Sequence, residues 1–303
     1  VSERVIAIDL GATWTRVAVA TPMGDLLSVS KWPTPRTSSE IKKSIQACLR
    51  KLHSEGVDRG AGVGIASVGL LSVKRGMILM APNIGGIRLK IVDAVKSVHD
   101  GEVTLLNDCN AAALGEWRLG AGKNLHNLVY VTISTGIGGG AIVDGRLLLG
   151  KDGNAAEIGH LVLDHGSGIR CGCGGYGHWE AMCSGVGLMK LARHLTGEDR
   201  WGNARELIED FLRSDRRAKK VVETASRLNA AGLASLINAY DPEIVTVGGS
   251  IGLSHGGLLV KLATKYLSRY QTVKARIRTT PLGEKAPLLG AAVAAGNPML
   301  VRM

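Results

Sequence analysis

No stretch of the 303-residue sequence approaches the roughly 20 consecutive apolar residues that a bilayer-spanning helix requires. The first ten residues, Val1 to Leu10, lack the charged, apolar and cleavage regions of a signal peptide and run straight into a strand-like segment. A cytoplasmic protein is therefore expected, with no membrane partner. Lys and Arg never form a block of five or six. The densest basic run, Arg213 to Lys220, is broken by Ser214 and Asp215 and reads as a solvated helical face. Cysteine is sparse and odd in number (Cys48, Cys109, Cys171, Cys173 and Cys183), which argues against the disulfide framework of a small secreted domain. Linkers and low-complexity segments are absent. What remains is an ordinary globular composition, 45% hydrophobic and 21% charged, long enough for two lobes. The net charge of +11 suits nucleic acid, anionic nucleotides or simply a basic surface.

The chain opens as strand, turn, strand, turn, strand: Val5–Asp9, Gly11–Thr13, Thr15–Ala20, a turn at Pro22, Gly24 and Asp25, and Leu26–Ser30. A helix follows, with Ile41, Ile45, Cys48, Leu49 and Leu52 on one face. Val63–Val68 and Val103–Leu106 read as buried strands, with a helical segment around Ile91–Val98 between them. This alternation indicates an α/β lobe. The opening pattern then recurs. Leu128–Ser134 is a strand, Thr135–Gly140 a glycine-rich turn, Ala141–Val143 a second strand, Asp144-Gly145 a hairpin turn and Leu147–Leu149 a third strand. Asp9 and Gly11 align with Ser134 and Gly136, which suggests two copies of one hairpin-bearing lobe. Apart from a strand at Ile244–Val247, the remainder reads as mostly helical.

Five segments carry possible chemistry. In Asp9-Leu10-Gly11-Ala12-Thr13 an acidic residue ends a strand and small residues form the turn, open either to phosphate and Mg²⁺ or to a purely structural turn. Ser134-Thr135-Gly136-Ile137-Gly138-Gly139-Gly140 lacks the Lys of a Walker loop and leads into a strand, leaving phosphate binding or a glycine-rich bulge. In Asn107-Asp108-Cys109-Asn110 a strand meets a helix, so Asp108 is either a general base at a cleft or a helix cap. His160, Cys171, Cys173 and His178 fall within 19 residues with glycines between, a credible tetrahedral zinc set flanked by Glu157 and Glu180. Finally, Asp241–Ser250 enters a strand that ends in Gly248-Gly249, where small residues could let adenosine lie against the backbone, or form a plain strand-to-helix connection.

Taken together and in this order, the segments resemble the ROK (repressor, open reading frame, kinase) family. The resemblance runs from Asp9 to Gly290-Ala291-Ala292 and is most specific at Glu157-x-Gly-His160, the Cys171/Cys173 cluster and Glu180. It implies a two-lobed α/β fold of the actin-like, ribonuclease-H-like type, with duplicated β-hairpin lobes and a central cleft. A small lobe at 1–108, completed by a C-terminal helix at 286–303, and a large lobe at 109–285 carrying the zinc-type loop are expected. The resemblance implies an ATP-dependent hexokinase or glucokinase. Asp9, Gly11 and Thr13 would form the first phosphate loop, Thr135 and Gly136 the second, and Gly248 and Gly249 the adenosine segment. Asp108 would be the base. Asn83, Asn107, Asp108, Glu157, His160 and Glu180 would contact a hexose, glucose first. ATP, Mg²⁺ and a structural Zn²⁺ are the implied cofactors and a homodimer the implied assembly.

Three departures stand out. His178 occupies the position of the third Cys in the family's C-x-C-G-x-x-G-C pattern, Ser134 replaces a common Gly, and Val68-Gly69-Leu70 stands where many members have Pro-Gly. The N-acetylmannosamine kinases that the chain resembles tend to carry Arg at the position of Leu70, so a plain hexose is expected over N-acetylmannosamine or N-acetylglucosamine. The family's DNA-binding regulators add an N-terminal helix-turn-helix. With a phosphate loop beginning at Asp9, no room for one is expected, nor any specific nucleic-acid partner. Actin-like filament or chaperone ATPases share the hairpins but have no need for Glu157, His160 and Glu180 together.

Overall fold

A computed structural model describes residues 4–301 of the chain. Its elements are β1 (Val5–Leu10), β2 (Trp14–Ala20), β3 (Leu26–Pro33), α1 (Ser38–Ser54), β4 (Val63–Ser67), β5 (Leu70–Ser72), β6 (Met77–Ala81), β7 (Ile87–Leu89), α2 (Ile91–Lys96), β8 (Val103–Asn107) and α3 (Asp108–Leu119). Then follow β9 (Leu128–Ile133), β10 (Ile137–Val143), β11 (Arg146–Leu147), α4 (Trp179–Cys183), α5 (Gly185–Thr196), α6 (Ala204–Leu212), α7 (Arg216–Tyr240), β12 (Ile244–Gly248), α8 (Leu258–Thr264), β13 (Arg276–Thr279) and α9 (Ala286–Gly296). Two compact units result. One holds the described residues through His126, Gly140–Ala155 and those from Lys285 on; the other holds Asn127–Gly139 and Ala156–Glu284.

In the first unit the strands run in the order β3-β2-β1-β4-β8. β1 pairs antiparallel with β2, and β1, β4 and β8 are parallel. All six residues of β1 are buried, as the centre of a sheet covered on both faces requires. The α1 stripe of Ile41, Ile45, Leu49 and Leu52 shares one core with Ile6, Ile8 and Ile65. Thr37 starts that helix by accepting the Glu40 amide at 3.3 Å while its hydroxyl donates to the Glu40 carboxylate, an arrangement worth about 1 kcal/mol. On the opposite side α9 lies close against α3, so close that a methyl group on Gly290 would sit 1.6 Å from the Ala111 carbonyl oxygen. The run Gly290 to Ala295 is small because two backbones meet there, which its apolar composition alone does not reveal.

The second sheet runs β11-β10-β9-β12-β13, the same order of a short hairpin followed by parallel strands. The duplication read in the sequence is present, but its register is corrected. β1 and β2 begin and end at residues 5, 10, 14 and 20, and β9 and β10 at 128, 133, 137 and 143, so the repeat is displaced by 123 residues at every boundary. Gly11 therefore corresponds to Ser134, not to Gly136. The glycine-rich turn is also shorter than expected, since Gly138, Gly139 and Gly140 lie inside β10. The three-stranded sheet β5-β6-β7 and the edge strand β13 lie outside the sequence reading. In the second unit α7, started by Asp215 accepting the Arg217 and Ala218 amides, receives the fully buried ring of Trp179 beside Gly232. Among the described residues no helix is long and apolar enough to cross a membrane.

Candidate active site

Parallel pairing puts the carboxyl ends of β1, β4 and β8 side by side, and two acids stand there. Asp9 faces Arg16 across the β1–β2 hairpin, with a 3.1 Å ion pair between them. Asp9 is 4% exposed, and burial, partly offset by Arg16 and reinforced by the negative charge of Asp108, raises its pKa from 3.8 to about 7. A carboxylate desolvated to this degree fits a divalent cation, whose charge would hold it ionised. Arg16 was missed in the sequence; its signal was the cross-strand register of a hairpin. The turn itself is fixed by Thr34, whose hydroxyl donates to the Gly11 carbonyl at 2.8 Å and whose amide donates to the Thr13 carbonyl at 2.9 Å.

The end of β8 runs directly into α3. Asn107 is the N-cap of α3, its Oδ1 accepting the Cys109 amide at 2.9 Å, and Asp108 occupies the first helical position, half-buried. One Asp108 oxygen also accepts the Cys109 amide at 2.9 Å. Asn83 lies in a short 3-10 turn, Pro82–Ile84, exposed, with its backbone carbonyl accepting from Arg36 at 2.7 Å.

In the second unit the β9–β10 turn meets the end of β12. Ser134 Oγ lies 3.0 Å from Ser250 Oγ, and the Ile251 and Gly252 amides both donate to the Ile133 carbonyl, at 3.0 and 2.9 Å. The β9–β10 turn and the Gly248-Gly249 segment are thereby joined through Thr132, Ile133 and Ser134. Gly136 has a specific reason to be glycine: a Cβ there would lie 2.3 Å from Glu180 Oε2.

Glu157, His160 and Glu180 gather around the cysteines. His160 Nε2 is 3.8 Å from Glu157 Oε2, and its Nδ1 points the other way, 3.3 Å from His178 Nδ1 and 3.9 Å from Cys171 Sγ. Cys173 Sγ is 3.3 Å from His178 Nδ1. Ligand atoms of all four residues lie within 4.8 Å of one another. Zinc bonds of the usual length in a tetrahedron need ligand separations of roughly 3.3–3.8 Å, so two thiols and two imidazoles this close together are a donor set of the kind that suits zinc, with His178 standing where a thiolate is usual. Burial raises the Cys171 thiol to about 11, while burial and then His160 lower His178, partly offset by Glu180. Partial desolvation raises Glu157, with His160 opposing and Glu180 adding to it.

The sequence pattern of the ROK family matches residues 5–297. A glucokinase from Aeropyrum pernix is 38% identical to the chain over 97% of each sequence. Among solved structures, the ROK hexokinase from Thermus thermophilus superposes with a TM-score of 0.87 at 35% identity, covering 98% of this chain and 99% of that one. A ROK family glucokinase from Streptomyces griseus, solved in complex with glucose and AMPPNP, gives a TM-score of 0.79 at 34% identity over 96% and 99%. Two sheets of matching order, each opening with a hairpin, are the lobes of the ribonuclease-H-like, actin-type fold. The chain belongs to the ROK family, as one of its ATP-dependent sugar kinases.

The Asp9 environment has a measurable consequence. Its folded-state pKa of about 7 lies above the ordinary 3.8, so the native protein keeps a proton that the unfolded chain has released between those values. Stability from this group is full below about pH 4 and declines as pH rises towards 7, by up to about 4 kcal/mol. With EDTA present, Asp9→Asn should make the loss of unfolding free energy between pH 4 and pH 8 smaller by about 2–4 kcal/mol. Equal losses in variant and wild type, followed by urea unfolding, would contradict this environment.

Proposed function

We propose that the protein is a hexokinase of glucokinase type, which transfers the γ-phosphoryl group of ATP to the 6-hydroxyl of glucose or a related unmodified hexose. The observation that carries this reading is Asp108, a half-buried carboxylate at a strand end beside Asp9, with helix capping served by Asn107. In the proposed reaction Asp108 accepts the proton of the sugar hydroxyl as that oxygen attacks phosphorus in line with the leaving ADP oxygen. The 11–13 and 134–136 turns receive the phosphates, and Gly248 and Gly249 give adenosine access to the backbone. Mg²⁺ bound with ATP would neutralise phosphate charge, and Asp9 is the residue to hold it, directly or through water. Asn83, Asn107, Glu157, His160 and Glu180 orient the sugar, so that one hydroxyl is presented and water is not phosphorylated in its place. Similarity to glucokinases supports glucose, as does Leu70, 43% exposed at the start of β5 where Arg would favour an N-acetylated sugar.

A panel of sugars with ATP and Mg²⁺, read by ADP release, tests this. The kcat/KM for glucose should exceed that for N-acetylmannosamine by at least about tenfold, or 1.4 kcal/mol of transition-state binding. The opposite preference would overturn the substrate assignment.

His160, Cys171, Cys173 and His178 are the residues proposed to hold zinc, in a structural role that pins the loop carrying His160 to its neighbours. Protein purified without added metal should contain about one zinc per chain by elemental analysis. His178→Ala should lower that content and weaken glucose binding more than nucleotide binding. A wild-type enzyme free of metal and fully active would refute the site.

A further inference from the structure

Glu180 is mounted with unusual rigidity for a residue proposed to touch a sugar. Its neighbour Trp179 is wholly buried, donates from Nε1 to Asn229 Oδ1 at 2.8 Å, and has its backbone amide bound to the Leu161 carbonyl at 2.8 Å. Both carboxylate oxygens are engaged. Oε1 accepts the Cys171 thiol at 3.5 Å, and Oε2 accepts the backbone amide of Ile137 at 2.9 Å. Ile137 is the first residue of β10, directly after the turn proposed to receive phosphate. The same turn is held from α5, where the Gly185 amide donates to the Ser134 carbonyl at 2.7 Å. Gly136 allows the carboxylate to come this close.

We propose that Glu180 is a positioning residue for the nucleotide side of the reaction, its carboxylate fixing the Ser134–Ile137 turn in the form that receives ATP. This rests on the reading of that turn as a phosphate loop. A charge-assisted bond to a backbone amide is stronger than a neutral one, and here it holds a loop that would otherwise have to be ordered by the nucleotide itself. The Ile137 amide is committed to Glu180, so the carboxylate acts behind the turn and not on the phosphates.

The test is a double-mutant cycle on AMPPNP affinity, measured by calorimetry with Mg²⁺ and without sugar, alongside the thermal midpoint of each variant. Glu180→Ala should weaken AMPPNP binding roughly tenfold, the equivalent of 1.4 kcal/mol. Glu180→Gln should stay within about threefold of wild type, because its amide keeps an oxygen to accept from the Ile137 amide. Gly136→Ala supplies an independent probe. The atom its methyl meets is the tip of a flexible side chain, so the protein should fold while the carboxylate is displaced. It should weaken AMPPNP binding several-fold in the wild-type background and by less than about twofold once residue 180 is Ala, a coupling expected only of groups in contact. Full AMPPNP affinity in folded Glu180→Ala, or additive effects in the cycle, would overturn the proposal and leave the kinase reading intact. A wild-type protein that binds no AMPPNP would overturn both.

Discussion

Burial of Asp9, with Arg16 against it and Asp108 nearby, sets the electrostatics at the carboxyl end of the first sheet. Asp9 and Asp108 are far apart in sequence, and each stands where a parallel strand of one sheet comes to its carboxyl end. The negative charge of Asp108 is one of the causes that drive Asp9 towards neutrality, after burial itself. Such proximity costs stability, and under the proposed function it offers a place where a cation and a transferring phosphoryl group are attracted together. The β1–β2 hairpin brings in Arg16 to limit the cost, Thr34 fixes the turn beyond Asp9, and Asn107 takes over the cap of α3.

The second unit solves a different problem with the same topology. Its hairpin has a serine where the first has Gly11, and no acid corresponds to Asp9, because Thr132 occupies the equivalent position at a displacement of 123 residues. What it has in place of the strand-end acid is Glu180, which reaches the hairpin from a short helix set on the buried ring of Trp179. The Cys and His ligand atoms converge on the other side of that carboxylate. Glu180 thus contacts the proposed phosphate turn and the proposed metal cluster at once, through its two oxygens.

Much of this was legible in the sequence. Strand–turn–strand patterns located both hairpins, because apolar runs and turn chemistry act locally. The apolar runs at Val63, Val103 and Ile244 located the parallel strands. The cluster of His160, Cys171, Cys173 and His178 was legible because its spacing left so few alternatives, and an imidazole at 178 has the reach to keep ligand separations near those of a tetrahedron. Less was legible where tertiary contact decides. Gly138 to Gly140 look like turn residues, yet they lie in β10, where Gly139 faces Ile158 and Gly140 faces the Cys109 carbonyl. The edge strand β13, Arg276–Thr279, has two charged residues in four and acquires its identity only by pairing with β12. The small sheet β5-β6-β7 is built from three short strands, two of three residues each, too brief for any period to register. The partner of Asp9 depends on the cross-strand register of β1 and β2, which pairs Asp9 with Arg16 and is set by the length of the turn between them.

In the proposed reaction everything turns on Asp108 taking the proton from the attacking sugar hydroxyl. The most direct measurement is kcat for glucose phosphorylation by folded Asp108→Ala at saturating ATP and Mg²⁺, with circular dichroism and AMPPNP binding as checks on integrity. Loss of the base should lower kcat by about 10²–10⁴ with the nucleotide still bound. A folded variant that phosphorylates glucose near the wild-type rate would contradict it.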